Sequence, residues 1–139
     1  GFIVIGKDSD GMTRPMDLGM SGPLAAKKVE FIGRRSLFLE EAQRRDRNQL
    51  VGLVPADGLG LLPVGGHGVD LSGTAPRSIG YVTSSYQGAS VAHPIALGLI
   101  ERGASRHGEE ITIQHLGKRR RARICAPCFF DPKGDRLNA

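Results

Sequence analysis

The sequence has no tryptophan, only two cysteines and no apolar run of the about 18 residues that a transmembrane helix needs. Two cysteines exclude a small scaffold held together by disulfides. No basic segment followed by an apolar one opens the chain, so we expect no secretory signal, no membrane association and a cytoplasmic location. The chain starts without methionine, in the apolar run Phe2-Ile-Val-Ile5, which predicts that it is part of a longer polypeptide.

Glycine, by contrast, is abundant, with 20 of the 139 residues. Many glycines between short apolar runs favour turns and strands over long helices. The length allows one domain, or one small domain with a piece of another. A net charge of +5 and a pI near 9.7 predict an anionic partner, either nucleic acid, a membrane surface or an acidic small ligand.

The second part of the sequence has the pattern of an all-β domain. Strands are predicted at residues 49–54, 69–71, 79–82, 95–100, 110–115 and 121–126. Polar residues 83–85 are predicted to form a turn and residues 87–90 a loop. About six short strands at intervals of roughly ten residues are typical of a small sandwich or barrel. We therefore predict a domain boundary near Gln49, with a βα-type piece at 1–48 and an all-β domain at 49–139.

The first part of the sequence predicts mixed local structure. Residues 2–5 are predicted to be a short buried strand, followed by a turn. Pro15 stands near the first position of a short helix, where its missing N–H costs nothing. The longest predicted helix covers 31–45, with Ile32 and Ala42 on one apolar face.

Cys125-Ala-Pro-Cys128 is a Cys-x-x-Cys pair with three possible roles. A redox pair needs its first thiolate at a helix N-terminus, whereas this motif follows a predicted strand. A structural zinc site needs four ligands, and the four histidines have no familiar spacing relative to this pair. Packing is the favoured interpretation, and redox and zinc roles stay open.

The basic run at 118–123 contains one lysine and four arginines. It is predicted to lie at a hairpin turn and has no aromatic residues for base stacking. A solvated hairpin tip is favoured, and binding of phosphate or nucleic acid stays open.

Two sets of polar residues resemble known chemical motifs only in part. Asp8, Asp10 and Asp17 lack the full pattern of a calcium loop, so hydrogen bonding within turns is favoured over cation binding. Residues 83–85 and His93 lack the Gly-x-Ser-x-Gly elbow of a serine hydrolase, so we predict no such activity.

Several segments occur together and in order along nearly the whole chain. They are Phe2-Ile-Val-Ile-Gly-Lys-Asp-Ser-Asp-Gly11, Thr13-Arg-Pro15, Lys28-Val-Glu-Phe-Ile-Gly-Arg34, Leu50-Val-Gly-Leu53, Ile79-Gly-Tyr-Val-Thr-Ser-Ser85 and Ile95-Ala-Leu-Gly98. This series resembles the folate-binding aminomethyltransferase family, which includes the T-protein of the glycine cleavage system. The resemblance implies a mainly β chain, in which a small C-terminal β-barrel at 49–139 follows the end of an α/β folate-binding domain at 1–48.

Within the family, Val82-Thr-Ser-Ser-Tyr86 and the ending 129–138 are most similar to the α-subunits of heterotetrameric sarcosine oxidases. The resemblance implies a parent that oxidatively demethylates sarcosine and passes the one-carbon unit to tetrahydrofolate. Flavin and NAD would lie elsewhere in the complex, with the other subunits of the hetero-oligomeric oxidase as partners. The family's catalytic Asp lies upstream of Gly1, so we assign no catalytic or metal residue and expect the isolated chain to be inactive.

Three residues match positions near the folate of the family. Ile5 stands where T-proteins have a tyrosine, which keeps an apolar wall and loses a hydroxyl. Phe130 and Arg136 lie in the tail that returns to the folate site, and a guanidinium suits a folate carboxylate. A loose charged terminus is the other interpretation of Arg136. The alternative functions are an aminomethyltransferase of glycine cleavage and a basic nucleic-acid-binding β-barrel.

Overall fold

Six antiparallel strands close into a barrel in the computed structural model, which describes residues 3–27 and 29–136. The strands are β1 (Asn48–Pro55), β2 (His67–Asp70), β3 (Arg77–Gly88), β4 (His93–Glu101), β5 (Glu110–His115) and β6 (Lys118–Cys125). Their order around the barrel is β1-β4-β3-β2-β5-β6, and β6 pairs back with β1. The prediction of a mainly β fold with a small barrel is confirmed.

The barrel interior is filled by aliphatic side chains that alternate along the strands. On β5, for example, Ile111 and Ile113 are buried while Thr112 between them is half-exposed. The interior cluster consists of Val51, Leu53, Leu62, Ile79, Val82, Ala96, Ile100, Ile111, Ile113, Ala122 and Ile124. Each large side chain buried in this way contributes about 1.5–3 kcal/mol to folding, so this cluster is the main source of stability.

Gly80 allows β3 to lie very close to β4, the strand with which it pairs. Its φ of +132° lies in a region that residues with a Cβ rarely adopt. A Cβ at this position would collide with the carbonyl oxygen of Leu99 and would lie 2.8 Å from the Cα of Ile100. Glycine is therefore required here for both backbone conformation and space.

In residues 3–27 and 29–47 the structure describes only short helical segments. They are Pro15–Leu18, Ser21–Ala26, Arg35–Phe38 and Glu40–Gln43. Pro15 does begin the first of these, as predicted. The long helix predicted over 31–45 is wrong, because Gly33 adopts a φ of +87° and Leu39 is extended, so the chain turns twice within that stretch.

Other local predictions also differ from the structure. Ile3 to Ile5 do not form a buried strand: Val4 and Ile5 are exposed, and the pairing of Ile5 with Ser9 is an isolated bridge. Residues 83–85 lie within β3 instead of a turn, and the basic residues 118–123 lie along β6 instead of at a hairpin tip. Phe2, Lys28 and Asn138, which belong to motifs quoted above, lie outside the described residues.

Among residues 3–27 and 29–136, no helix has the length and apolar character needed to cross a membrane.

Replacement of Gly80 by alanine should lower the free energy of unfolding by more than about 2 kcal/mol, because it adds backbone strain and a steric collision with β4. Gly73→Ala is the matched control, since a Cβ there would meet only Ala75 O at 3.7 Å. Urea unfolding followed by circular dichroism measures both variants. A Gly80→Ala protein as stable as the Gly73→Ala protein would contradict this account of the close contact between β3 and β4.

Candidate functional site

The candidate site lies on the outside of the barrel, where residues 3–18 and the tail 126–136 pack against β1, β3 and β4. We call this region the junction. Three buried leucines of the strands, Leu50, Leu97 and Leu99, form its apolar floor. The residues packed against that floor are Ile3, Leu18, Tyr81 and Phe129. The junction is thus a second apolar cluster, separate from the interior of the barrel.

A buried carboxylate fastens the N-terminal segment to the barrel. Asp8 is only 1% exposed. Its Oδ1 accepts hydrogen bonds from the hydroxyls of Thr83 at 2.5 Å and Ser84 at 3.1 Å, and its Oδ2 accepts one from the backbone N–H of Val4 at 3.0 Å. These donors replace the water that the carboxylate loses on burial.

The two hydroxyls reach Asp8 together because β3 is irregular at this point. The register between β3 and β4 shifts between Val82 and Ser84, so that Thr83 is an additional residue in the strand. Neighbouring residues of a regular strand face opposite sides of the sheet, and a bulge of this kind re-aims one of them. Thr83 and Ser84 are therefore both buried against the same carboxylate.

An ion pair provides a second attachment. Arg47, which immediately precedes β1, donates hydrogen bonds from Nε to both carboxylate oxygens of Asp17, at 3.0 and 3.1 Å, and from Nη2 to Oδ2 at 2.7 Å. The hydrogen bonds with Asp17 raise the pKa of Arg47 above its usual value. Asp17 is buried and also accepts from the N–H of Arg14 at 2.8 Å, so the helix Pro15–Leu18 is fixed to the start of the barrel.

A third contact is weaker. Tyr81 of β3 donates its hydroxyl to Asp10 at 3.4 Å. The hydroxyl of Thr13, at 2.7 Å, lowers the pKa of Asp10, and burial raises the pKa of Tyr81. The three aspartates accept hydrogen bonds within their own segment, as predicted from the sequence. Each also accepts a hydrogen bond from a more distant residue: Asp8 from Thr83, Asp10 from Tyr81 and Asp17 from Arg47.

A cavity of about 210 Å³ opens beside Asp8. It is lined by Val4, Asp8, Ser84, Tyr86, Ile95, Ala96, Leu97 and Phe129. Its walls are mostly apolar, with one buried carboxylate that already has three donors. Lys7 stands near it, with its Nζ 3.2 Å from the Tyr86 hydroxyl. The mostly apolar walls suit an aromatic or aliphatic group, and Lys7 is the nearby cation that a negative group could meet.

The tail passes close to strand β1 at Gly52. A Cβ on Gly52 would lie 2.5 Å from the carbonyl oxygen of Ala126 and 2.8 Å from the ring of Phe129. Only glycine leaves room for this crossing, which brings Phe129 into the cavity wall. Beyond it, the guanidinium of Arg136 lies over the ring of Phe130, with 4.9 Å from Cζ to the ring centre.

Of the three residues predicted to face a folate, two lie together. Phe130 and Arg136 form the stacked pair just described, and the backbone N–H of Arg136 donates to Asp131 at 3.0 Å. Ile5 is 85% exposed beside the Asp8 attachment, and it forms an isolated β-bridge with Ser9. The sequence did not predict the Asp8–Thr83–Ser84 group, in which Asp8 is more than 70 residues from the two hydroxyl residues. The polar interruption of an apolar strand was the signal that could have indicated it.

The two cysteines lie where β6 meets the tail. Burial raises the pKa of the Cys125 thiol, which opposes the reactive thiolate form. The Cys128 thiol donates to the carbonyl oxygen of Phe130 at 3.3 Å. Within the part of the chain that the structure describes, no three His, Cys, Asp or Glu side chains are grouped as metal ligands. The packing role of Cys125 and Cys128 stays a prediction.

Comparison with known sequences identifies relatives of two kinds. The profile of the glycine cleavage T-protein C-terminal barrel domain matches residues 48–131. The sarcosine oxidase subunit alpha of Rhizobium meliloti (strain 1021) is 38% identical over 133 residues, which is 93% of this chain. The corresponding subunit of Corynebacterium sp. (strain P-1) is 35% identical over 141 aligned positions. The aminomethyltransferase of Thermosynechococcus vestitus is 31% identical over 113 residues, or 81% of this chain.

These matches cover very different shares of the relatives. The chain spans 14% of the length of each of the two sarcosine oxidase subunits and 29% of the aminomethyltransferase. The similarity to all three reaches beyond the barrel into residues before 48, since 81% or more of the chain is aligned in each case. The similarity therefore includes the barrel and part of the segment that precedes it.

Replacement of Asp8 by asparagine should lower the free energy of unfolding by about 1–3 kcal/mol, because an amide is a weaker acceptor for two buried hydroxyls and adds N–H donors that need partners. Thr83→Val should have an effect of similar size. Asp10→Asn, at an exposed carboxylate, should cost less than about 1 kcal/mol. Urea unfolding measures all three, and an Asp8→Asn protein no less stable than Asp10→Asn would show that the buried contact does not hold the segment.

Proposed function

The chain belongs to the glycine cleavage T-protein C-terminal barrel family, and from this premise we propose that it is the C-terminal part of a sarcosine-oxidase-like α-subunit. The parent would oxidatively demethylate sarcosine and transfer the one-carbon unit to tetrahydrofolate. Flavin and NAD would bind to other parts of the complex, which would also contain other subunits and be cytoplasmic. Identity of 38% and 35% to sarcosine oxidase α-subunits, against 31% to an aminomethyltransferase, supports this choice within the family.

We propose that the chain itself contributes to the folate-binding region through the junction. The observation that supports this role is the stacked pair of Phe130 and Arg136 at the end of the tail, whose root, Phe129, lines the apolar cavity. The half-exposed Phe130 ring suits the flat benzoyl part of a folate. The guanidinium suits a glutamate carboxylate, to which it can donate two parallel hydrogen bonds.

Ile5 has a related role in this proposal. Its side chain lies next in sequence to Val4, which lines the cavity, and is itself exposed. An exposed aliphatic side chain at this point would supply an apolar wall for the ligand. It would offer no hydroxyl, so it would not add a hydrogen bond to the folate.

We also propose that residues 1–48 are the end of an α/β domain that precedes the barrel. Many large apolar side chains in this part are exposed: Met12, Met20, Val29, Ile32, Phe38 and Leu39. An apolar cleft of about 360 Å³ lies among Met16, Leu24, Phe31, Leu37 and Phe38. Contiguous apolar surface of this kind is characteristic of an interface. In the parent protein, the rest of the preceding domain would cover these apolar side chains.

The second candidate is an aminomethyltransferase of glycine cleavage. The matching barrel profile and the relative from Thermosynechococcus vestitus favour it. It shares the folate region with the first candidate and differs in the amine that donates the one-carbon unit. Assay of the complete parent with sarcosine and with the glycine cleavage system distinguishes the two.

The nucleic-acid alternative has less support, because Arg120, Arg121 and Arg123 of the basic run each pair with a carboxylate.

In the complete parent protein, Arg136→Gln should weaken the binding of tetrahydrofolate by about 3–10-fold, because a charge-assisted contact is replaced by a neutral one. Lys133→Gln removes a neighbouring positive charge of the same tail and should change the affinity less than twofold. Isothermal titration calorimetry measures both. Equal tetrahydrofolate affinities of the two variants would show that Arg136 does not bind the ligand.

A double substitution tests the proposed domain contact. Ile32→Asp with Phe38→Asp should lower the melting temperature of the complete parent by several degrees, because two charges would be buried without partners. In the isolated 139-residue chain the same change should be nearly neutral, since both side chains are exposed there. Leu116→Asp, at the exposed β5–β6 turn, should be neutral in both proteins. Equal small effects in both contexts would contradict an interface on this surface.

A further inference from the structure

The tail reverses its direction at a turn between Asp131 and Gly134. The backbone N–H of Gly134 donates to the carbonyl oxygen of Asp131 at 3.0 Å, which closes a β-turn. Aspartate at the first position of such a turn, proline at the second and glycine at the fourth are all favoured, and this sequence has all three. The turn allows Arg136 to return over the ring of Phe130.

The carboxylate of Asp131 fixes the chain beyond the turn. Its Oδ1 accepts a hydrogen bond from the backbone N–H of Asp135 at 2.9 Å, and its Oδ2 accepts one from the N–H of Arg136 at 3.0 Å. Hydrogen bonds to an ionised carboxylate are stronger than those to a neutral acceptor. The two oxygens of one side chain therefore hold two successive peptide groups, the second of which belongs to Arg136.

Asp131 adopts a backbone conformation that few residues with a side chain tolerate. Its φ is +45°, in the left-handed region. Aspartate and asparagine occur there more often than other such residues, because their short polar side chains can form local hydrogen bonds. The next residue, Pro132, restricts the backbone of Asp131 further. A conformation of this kind persists where surrounding contacts enforce it, and the three hydrogen bonds to Asp131 are such contacts.

The turn thus presents a stacked pair that is assembled without a ligand. The Cζ atom of Arg136 lies 4.9 Å from the centre of the Phe130 ring, and both side chains are accessible to solvent. The ion pairs formed among residues 3–27 and 29–136 do not include Arg136. An arginine that is held in place before binding loses less conformational freedom when it meets a ligand, and this favours affinity.

We propose that Asp131 is a positioning residue for the folate, which acts through Arg136 by holding its guanidinium over the Phe130 ring, ready for a carboxylate of the ligand. This inference rests on the proposed folate role of Phe130 and Arg136. Asp131 itself does not contact the ligand. Its negative charge alone would repel an anionic ligand, so charge and positioning predict opposite effects when the carboxylate is removed.

The test measures the affinity of variants of the complete parent protein for tetrahydrofolate by isothermal titration calorimetry. Asp131→Ala should weaken binding by about 3–10-fold, as Arg136→Gln does, because the guanidinium is no longer held in place. Asp131→Asn keeps a side-chain acceptor and tolerates the left-handed backbone, so it should restore part of this loss. Asp135→Ala is the matched control, since it removes a charge from the same tail but keeps its backbone N–H, and it should not weaken binding.

A double variant shows whether Asp131 acts through Arg136. When Arg136→Gln is already present, adding Asp131→Ala should lower the affinity by less than about twofold, because there is no guanidinium left to position. Two residues that act independently would instead give multiplied effects. Damage to the tail as a whole would also weaken binding further in the double variant, so this comparison separates positioning from a merely structural role.

The outcomes separate this inference from the function on which it rests. If Arg136→Gln weakens binding but Asp131→Ala leaves it unchanged or tightens it, the positioning role is overturned and the folate role of Arg136 stands. Multiplied effects in the double variant, or an Asp131→Asn protein that restores nothing, would overturn the positioning role as well. An Arg136→Gln protein that binds tetrahydrofolate as tightly as the parent would overturn both proposals.

Discussion

The arrangement of this chain depends on one buried carboxylate. Removing a charge from water is costly unless hydrogen-bond donors replace the lost solvent, so the position of Asp8 is acceptable only where such donors converge. Thr83 and Ser84 converge because β3 contains an additional residue at that point. The bulge thus determines where the N-terminal segment attaches, and the segment in turn covers the leucines on the outer face of β1 and β4. Local irregularity in one strand sets the geometry of the whole junction.

The barrel has two different outer faces as a result. On β1 and β4 the outer face is apolar and is covered by residues from both ends of the chain. On β5 and β6 the outer face is polar and basic, with pairs such as Glu110–Arg121 that exposed strands commonly use. A β-barrel of this size has room inside only for its own side chains. Any ligand site must therefore be formed on the outside, and the covered face is where concave, partly apolar surface is available.

Sequence patterns predicted the barrel well where burial alone determines the structure. β5 alternates between polar and apolar residues from Glu110 to Gln114, and the predicted strand at 110–115 has the observed bounds. The same logic failed at residues 83–85, since polar residues in an apolar strand look like a turn unless their distant partner Asp8 is known. It failed again at 31–45, where helical spacing was present but Gly33 and Leu39 take non-helical conformations. For the site, the family resemblance supplied Phe130 and Arg136, which lie together, whereas the roles of these residues and of Ile5 stay predictions.

The distribution of charge explains how an excess of five positive charges is compatible with a well-packed junction. The buried carboxylates of the junction have partners. Asp8 accepts hydrogen bonds from hydroxyl groups, and Asp17 forms an ion pair with Arg47. The unneutralised charge lies on exposed strands, where dissolved ions screen it over about 10 Å at 0.1 M ionic strength. Such charge adds little to folding stability, yet it raises the local concentration of anions. The two kinds of charge therefore act differently: the buried ones fix the junction, and the exposed ones set the electrostatic potential outside β6.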